Sequence, residues 1–388
     1  MTEAGPHGTL YPRFSDAEMA RRRKALEDIL AARGLEHAVV YGANRFGSAV
    51  GWLTRWPVTR EALVVFTPHT TDVLFVNFYN HVPNARLIAS EADVRWAGSA
   101  IDSALDELDA RAASGARIGV IGPLGFGYHR RLAEFASEVV NLNGDYTQLR
   151  LIKSSEELDW VRVGAELTDA AMGALHTEAR PGMTEAELGN VVERAYVGRG
   201  GTTHIHYLGV TSMDDPAVAV PAQWPSMRAL RSGDVLTAEL SASYWDHPGQ
   251  LLRTFVVGRA PTELYAELHA AAEAALTAIV GRLRAGATAA DVVEASSAIE
   301  EAGFTIRDDL LHGFVGGYLP PVLGSTNRTL EPVPEFTFRA GMTVVVQPNV
   351  VTHDESAGVQ TGELLLITDD GVERLHHYER GLLAIDHA

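Results

Sequence analysis

Along the first part of the chain, short apolar runs alternate with stretches of helical period. Ser15 stands where a helix cap is expected, and Met19, Ala25, Leu26, Ile29 and Leu30 then recur at helical spacing up to Gly34. Strand-like runs follow at Ala38–Tyr41, Ala62–Phe66, Val73–Phe75 and Arg117–Ile121. Helical patterns near 101–113 and 127–137 lie between them. Gly5, Pro6, Gly8 and Pro12 mark residues 1–14 as an irregular arm. Strand alternating with helix predicts an α/β domain on a mainly parallel or mixed sheet over residues 1–148.

The pattern changes after that. A long amphipathic helix is predicted over 154–179, stopped by Pro181-Gly182, and Thr184 with Glu187 forms a capping box for a second helix over 185–199. Further helices are predicted at 261–285 and 288–302. Strand-like runs fall at 234–243, 251–258, 343–351 and 363–369. Helices segregated from antiparallel strands predict an α+β domain over residues 149–388. The runs ending Gly-Asp-Val-Leu and Gly-Met-Thr-Val-Val are alike in shape and hint at an internal duplication.

Composition narrows the function more than the fold. The chain has 388 residues, 46% of them apolar and 21% charged, enough to bury a core without staples. It has no cysteine, which removes disulfides, a cysteine nucleophile and thiolate metal sites. Its formal charge of −18 repels phosphate, so neither nucleic acid nor an anionic membrane is an expected partner. No basic n-region, apolar h-region or 18-residue apolar run occurs, and a cytoplasmic location is the expectation. Nucleophile-elbow, P-loop and His-Glu-x-x-His motifs do not occur either.

Four stretches carry a resemblance. Leu149–Ser154 followed by Glu156-Glu157, Arg228–Val235, Arg253–Gly258 and Gly341–Pro348 resemble, in order, the landmark segments of the pita-bread fold of creatinase, prolidase, aminopeptidase P and methionine aminopeptidase. Asn44 and Gly51-Trp52-Leu53 resemble the creatinase-type N-terminal domain. The resemblance implies an α/β N-terminal domain, a pita-bread C-terminal domain and a homodimer.

It also implies where a dinuclear metal site would stand. The family's two aspartates, histidine and two glutamates fall here on Glu239, Gln250, His312, Gln347 and Gly362, with Glu363 beside the last. Two carboxylates become neutral amides and one position has no side chain. The expectation is therefore no tight dimetal centre, with a single weakly held divalent ion on Glu239 and His312 left open. A second family histidine falls on Leu319, and creatinase's acid/base histidine falls on Ala222.

The positions that remain polar suggest a metal-free site. In that reading Glu239 is a general base or nucleophile, His312 a proton donor and Glu363 a further catalytic carboxylate. Gln250 and Gln347 orient a polar substrate. His204 and His206, two apart on a predicted strand, are expected to share one face; the resemblance places them at the substrate pocket, and an exposed strand face is the equal alternative. Tyr244 and Arg253 are further substrate-binding candidates, although for Arg253 a salt bridge within the strands is the first reading and carboxylate binding the second. The expected function is a metal-independent hydrolase acting on a C–N bond of a small amide, amidine or amino-acid-like metabolite. A lyase, a silent binding protein and an Xaa-Pro metallopeptidase stay open beside it.

Overall fold

The computed structural model describes residues 10–44, 46–328 and 332–386. Gly5, Pro6 and Gly8 of the expected arm lie outside the described residues. The chain divides into two compact units, residues 1–150 and 151–388.

The first unit runs α1 (Asp16–Arg33), β1 (His37–Ala43), α2 (Ala49–Thr54), β2 (Glu61–Phe66), β3 (Val73–Val76), α3 (Val82–Ile88), β4 (Asp93–Trp96), α4 (Ala100–Ala110), β5 (Arg117–Ile121), α5 (Phe126–Phe135), β6 (Glu138–Asn141) and α6 (Asn143–Leu151). Ser15 caps α1, accepting from the Glu18 amide at 3.1 Å, and Gly34 ends it at φ 63°. The six strands form one mixed sheet in the order β4-β3-β2-β1-β5-β6, in which β1–β2 and β2–β3 are antiparallel and the other pairs parallel. One face packs Val39, Leu63, Val65, Phe75 and Ile118 against Ile101, Ala104 and Leu108 of α4.

The second unit opens with α7 (Ser155–Glu178) and α8 (Glu185–Val197), followed by β7 (Thr202–Ser212), β8 (Asp234–Tyr244), β9 (His247–Pro248) and β10 (Leu251–Val257). Then come α9 (Glu263–Arg282), α10 (Ala289–Ala295), α11 (Ala298–Glu301), β11 (Thr305–Ile306), β12 (Leu311–Phe314) and β13 (Tyr318–Leu323). The unit ends with β14 (Thr343–Val346), β15 (Val350–Val351), β16 (Gly362–Ile367), β17 (Val372–Arg374) and β18 (Leu383–Ile385). Capping boxes at Ser154/Glu157 and Thr184/Glu187 start α7 and α8. The main sheet follows the path β13-β12-β14-β16-β10-β8-β7, antiparallel throughout. This is the pita-bread architecture.

Strand β8 shows how two faces are separated. Leu236, Ala238, Leu240 and Ala242 pack with Leu167, Leu175, Leu188 and Tyr196 of α7 and α8. Thr237, Glu239 and Ser241 therefore point to the opposite face, because strand side chains alternate. Burying Leu167 or Leu175 stabilises the layer by about 2 kcal/mol each. Gly164 lets α7 approach closely: a Cβ there would stand 2.1 Å from the carbonyl oxygen of His247.

Two expected elements are interrupted. The run at 343–351 breaks after Val346, where the Gln347 amide donates to Leu310 O at 2.9 Å, and resumes as β15, paired with β11. The helix expected over 288–302 divides at Ser296, whose hydroxyl donates to Val293 O at 2.7 Å. Strands β4, β6 and β11–β13 were not expected from periodicity. No helix among the described residues is long and apolar enough to cross a membrane.

Candidate active site

Four strands bring the replaced polar positions together. Glu239 lies on β8, Gln250 just before β10, His312 on β12 and Gln347 just after β14. Gln250, His312 and Gln347 are fully buried, and Glu239 is 5% exposed. The Gln250 Nε2 donates to Glu239 Oε1 at 2.8 Å and, more weakly, to Gln347 Oε1 at 3.4 Å. Gln347 Nε2 in turn donates to Asp309 Oδ1 at 3.1 Å. The two amides thus link two carboxyl groups in a continuous relay.

Asp309 and Tyr318 complete the cluster, and neither was anticipated. The Tyr318 hydroxyl donates to Asp309 Oδ2 at 3.0 Å, while its ring stacks on His312 with centroids 3.8 Å apart. The only available signal was the pair Asp308-Asp309 just upstream of His312, in a stretch where periodicity predicted no element. Tyr207 pairs across the ladder with Glu239 and shares its face.

The environment fixes protonation states opposite to the expected roles. Burial first, then the Asp308 and Asp309 carboxylates, push Glu239 up to about 8 against the pull of the Gln250 bond. Burial, then Asp308, pushes Asp309 up to about 7, opposed by its bonds from Tyr318 and Gln347. Burial pulls His312 down to about 4, with the Gly313 carbonyl and Gln347 acting the other way. Near neutral pH Glu239 is a protonated acid and His312 a neutral imidazole. His312 Nδ1 lies 3.1 Å from Gly313 O, which only accepts, so Nδ1 carries the proton and Nε2 the lone pair. That Nε2, like Gln250 Oε1, is buried and makes no hydrogen bond of good geometry, the Gln347 side chain being the polar group that acts on the ring.

Other sequence candidates lie elsewhere. Glu363 was expected as a catalytic carboxylate, but its strand turns it to the opposite face from Gly362. There it accepts from Arg374 at 2.7 and 2.8 Å, from Arg253 at 3.3 Å and from Arg380. Three guanidiniums bind both oxygens and, against a burial effect that alone would raise it, hold its carboxyl near 2, so it cannot exchange protons at neutral pH. Arg253, expected to bind substrate, is 2% exposed and spent on Glu363 and the carbonyls of Leu252, Gly362 and Glu379. Tyr244 packs edge-on against Trp160 of α7 at 5.4 Å, on the helix-covered face.

His204 and His206 do not share a face. Thr203 pairs with Ala242 and Ile205 with Ser241, so His204 is the extra residue of a β-bulge. Its ring meets Phe314 edge-on at 5.6 Å, and Phe314 in turn meets His312 at 5.4 Å. His206 instead turns to α8, where Nε2 lies 3.0 Å from the Tyr196 hydroxyl.

Gly362, the position on which the resemblance puts the fifth ligand, is closed to any side chain. A Cβ at Gly362 would stand 2.4 Å from Val346 O and 2.8 Å from Gln347 Cα. Among the described residues, no group of three or more His, Asp or Glu is arranged to hold a metal ion. Glu239 and His312 are the two that could contribute to a single ion.

Comparison with known proteins agrees with this architecture. The sequence profile of metallopeptidase family M24 matches residues 159–369. An uncharacterized peptidase of Staphylococcus aureus strain MW2 is 27% identical over 248 residues, which cover 60% of this chain and 64% of the relative. The match thus spans less than two thirds of the relative's length. The X-Pro aminopeptidase of Thermotoga maritima superposes with a TM-score of 0.81 at 16% identity, over 93% of this chain and 99% of that one. The prolidase of Pyrococcus horikoshii gives 0.78 at 20% identity, over 94% and 100%. At these identities the structures attest the fold, and the profile attests the family: the chain belongs to metallopeptidase family M24, a family of hydrolases.

Proposed function

We propose that this chain is a metal-independent hydrolase that cleaves a C–N bond in a small amide, amidine or amino-acid-like metabolite. The observation that carries the reading is the open lone pair of His312 in the same buried cluster as a protonated Glu239. Here a base and an acid are held with pKa values displaced in opposite directions.

The donor set supports the absence of a dinuclear centre. The Gln250 amide donates to oxygens of both Glu239 and Gln347, so these groups already satisfy one another by hydrogen bonds. Two carboxylates have become amides, and Gly362 admits no side chain. Such a set does not neutralise two divalent ions.

In the reaction so read, His312 Nε2 takes a proton from water as its oxygen attacks the substrate carbon. Glu239 gives its proton to the departing nitrogen. The C–O bond forms, the C–N bond breaks, and proton return from imidazolium to carboxylate resets the site. The roles are the reverse of those expected from sequence. The same reading places the enzyme in the cytoplasm as a homodimer with a small-molecule substrate and no nucleic-acid or membrane partner.

The test is amine release from a panel of small amides, amidines, N-acyl amino acids and Xaa-Pro dipeptides, with metal content measured on the same protein. Turnover that survives chelator and falls by about 10²-fold or more in Glu239→Gln and in His312→Gln is expected. Two metals per chain with chelator-sensitive dipeptide cleavage would restore a metallopeptidase. Saturable ligand binding with no turnover of any panel member would make it a binding protein.

A further inference from the structure

The first unit contains a cavity of about 260 Å³ that the reaction does not use. Arg55, at the C-terminal end of α2, and Asp72, just before β3, both line it. Arg55 is 8% exposed and Asp72 5%. Each is incompletely satisfied. Arg55 reaches Ser90 Oγ at 3.2 Å, but its Nε is buried without a partner, and among the described residues no carboxylate forms an ion pair with it, Glu91 on the same wall acting from farther off. Asp72 gives one oxygen to Arg23, while its Oδ1 is buried without a partner.

A buried guanidinium with no direct ion pair is costly, and so is a buried carboxylate oxygen with no donor. The backbone adds to that cost. Arg55 sits at φ 66°, a left-handed position that suits glycine, where its amide is fixed by a bond to Gly51 O at 2.7 Å. A residue chosen for the turn alone would be glycine or asparagine. The side chain is thus kept where the backbone disfavours it, at the wall of a cavity, with a donor open. Burial also pulls the Arg55 guanidinium down from its usual range, opposed by the Glu91 carboxylate on the same cavity wall.

We propose that this cavity binds a small zwitterion, a free amino acid, with its carboxylate on Arg55 and its ammonium on the open oxygen of Asp72. A carboxylate matches the planar donors of a guanidinium, and an ammonium donates to the oxygen that lacks a proton. The volume admits a molecule of amino-acid size and excludes a long peptide. The inference does not depend on the proposed reaction, since both residues lie outside the candidate active site.

The test is titration calorimetry on the full chain with glycine, L-alanine, L-proline and L-glutamate, and with N-acetylglycine and acetate as single-charge probes. Saturable binding of at least one free amino acid is expected. It should weaken tenfold or more in Arg55→Gly and in Asp72→Asn, and persist in Glu239→Gln. Arg55→Gly removes the guanidinium while relieving the backbone, so the folded protein remains available for measurement. No binding by any of the four amino acids would overturn the proposal. So would binding that Arg55→Gly leaves intact, equal binding of acetate, or binding that Glu239→Gln abolishes.

Discussion

Tyr318 lies nearly parallel on His312, with 15° between the rings, while its hydroxyl holds the Asp309 carboxylate at 3.0 Å. One half-exposed side chain therefore covers the proposed base and fixes the carboxyl group at the far end of the amide relay. Tyr318→Phe separates the two functions. The stacking face is kept and the hydrogen bond lost, at a cost of about 1 kcal/mol in urea unfolding. The Tyr318 bond pulls Asp309 down, so in the variant Asp309 should titrate above its value of about 7. An unchanged Asp309 titration by NMR would remove Tyr318 from the relay.

Stability should depend on pH through two opposed groups. Glu239 is raised from an ordinary 4.5 to about 8, so the folded state holds a proton that the unfolded chain has released. Its contribution is present below pH 4.5 and lost as pH rises from 4.5 to about 8, on the order of a few kcal/mol. His312 is lowered from 6.5 to about 4, so its contribution is present above pH 6.5 and lost as pH falls from there to about 4. Glu239→Gln should flatten the alkaline side of a denaturation-midpoint profile and leave the acid side, and His312→Gln the reverse. Parallel profiles for all three proteins would contradict this.

Glu363→Gln should destabilise without touching the chemistry. It leaves three guanidiniums around a neutral amide, one of them fully buried, and removing a partner from such a cluster costs about 3 kcal/mol or more. The wild-type contribution is present above pH 4.5 and lost as pH falls toward about 2. Urea midpoints across that window would read it directly, and turnover per folded molecule should stay at the wild-type level.

Two glycines give a paired test of packing. Gly362→Ala drives a methyl group against backbone that cannot yield and should cost about 3 kcal/mol or more, beyond most single substitutions. Gly281, on α9 with no atom beyond its own helix backbone within 4 Å of an added Cβ among the described residues, should gain about 0.5–1 kcal/mol on conversion to alanine. Equal thermal shifts in the two variants would mean that the fifth ligand position still has room.

The architecture was largely legible in the sequence because its signals are local. Ser15, Thr184 with Glu187 and the apolar runs of β1, β2, β8 and β10 each announce an element within a few residues. The site was legible by position only. Glu239, Gln250, His312 and Gln347 do converge, but nothing local says that Asp309 joins them, because the link runs from the end of β14 back to the approach to β12. Protonation was misread because Glu239 was taken without its neighbours Asp308 and Asp309. Glu363 was misplaced by one residue, and in a strand one residue is the opposite face. His204 and His206 failed for the related reason that a bulge breaks alternation without marking the composition.

That bulge makes His204 a detachable part. Thr203–Ala242 and Ile205–Ser241 are already the pairs of a regular ladder with one residue removed. A deletion of His204 would close the ladder and leave every other side chain of β7 facing as it does now. The strand thus presents an extra imidazole beside Phe314 as a module, one that can be gained, lost or exchanged while Glu239 and its partners keep their register.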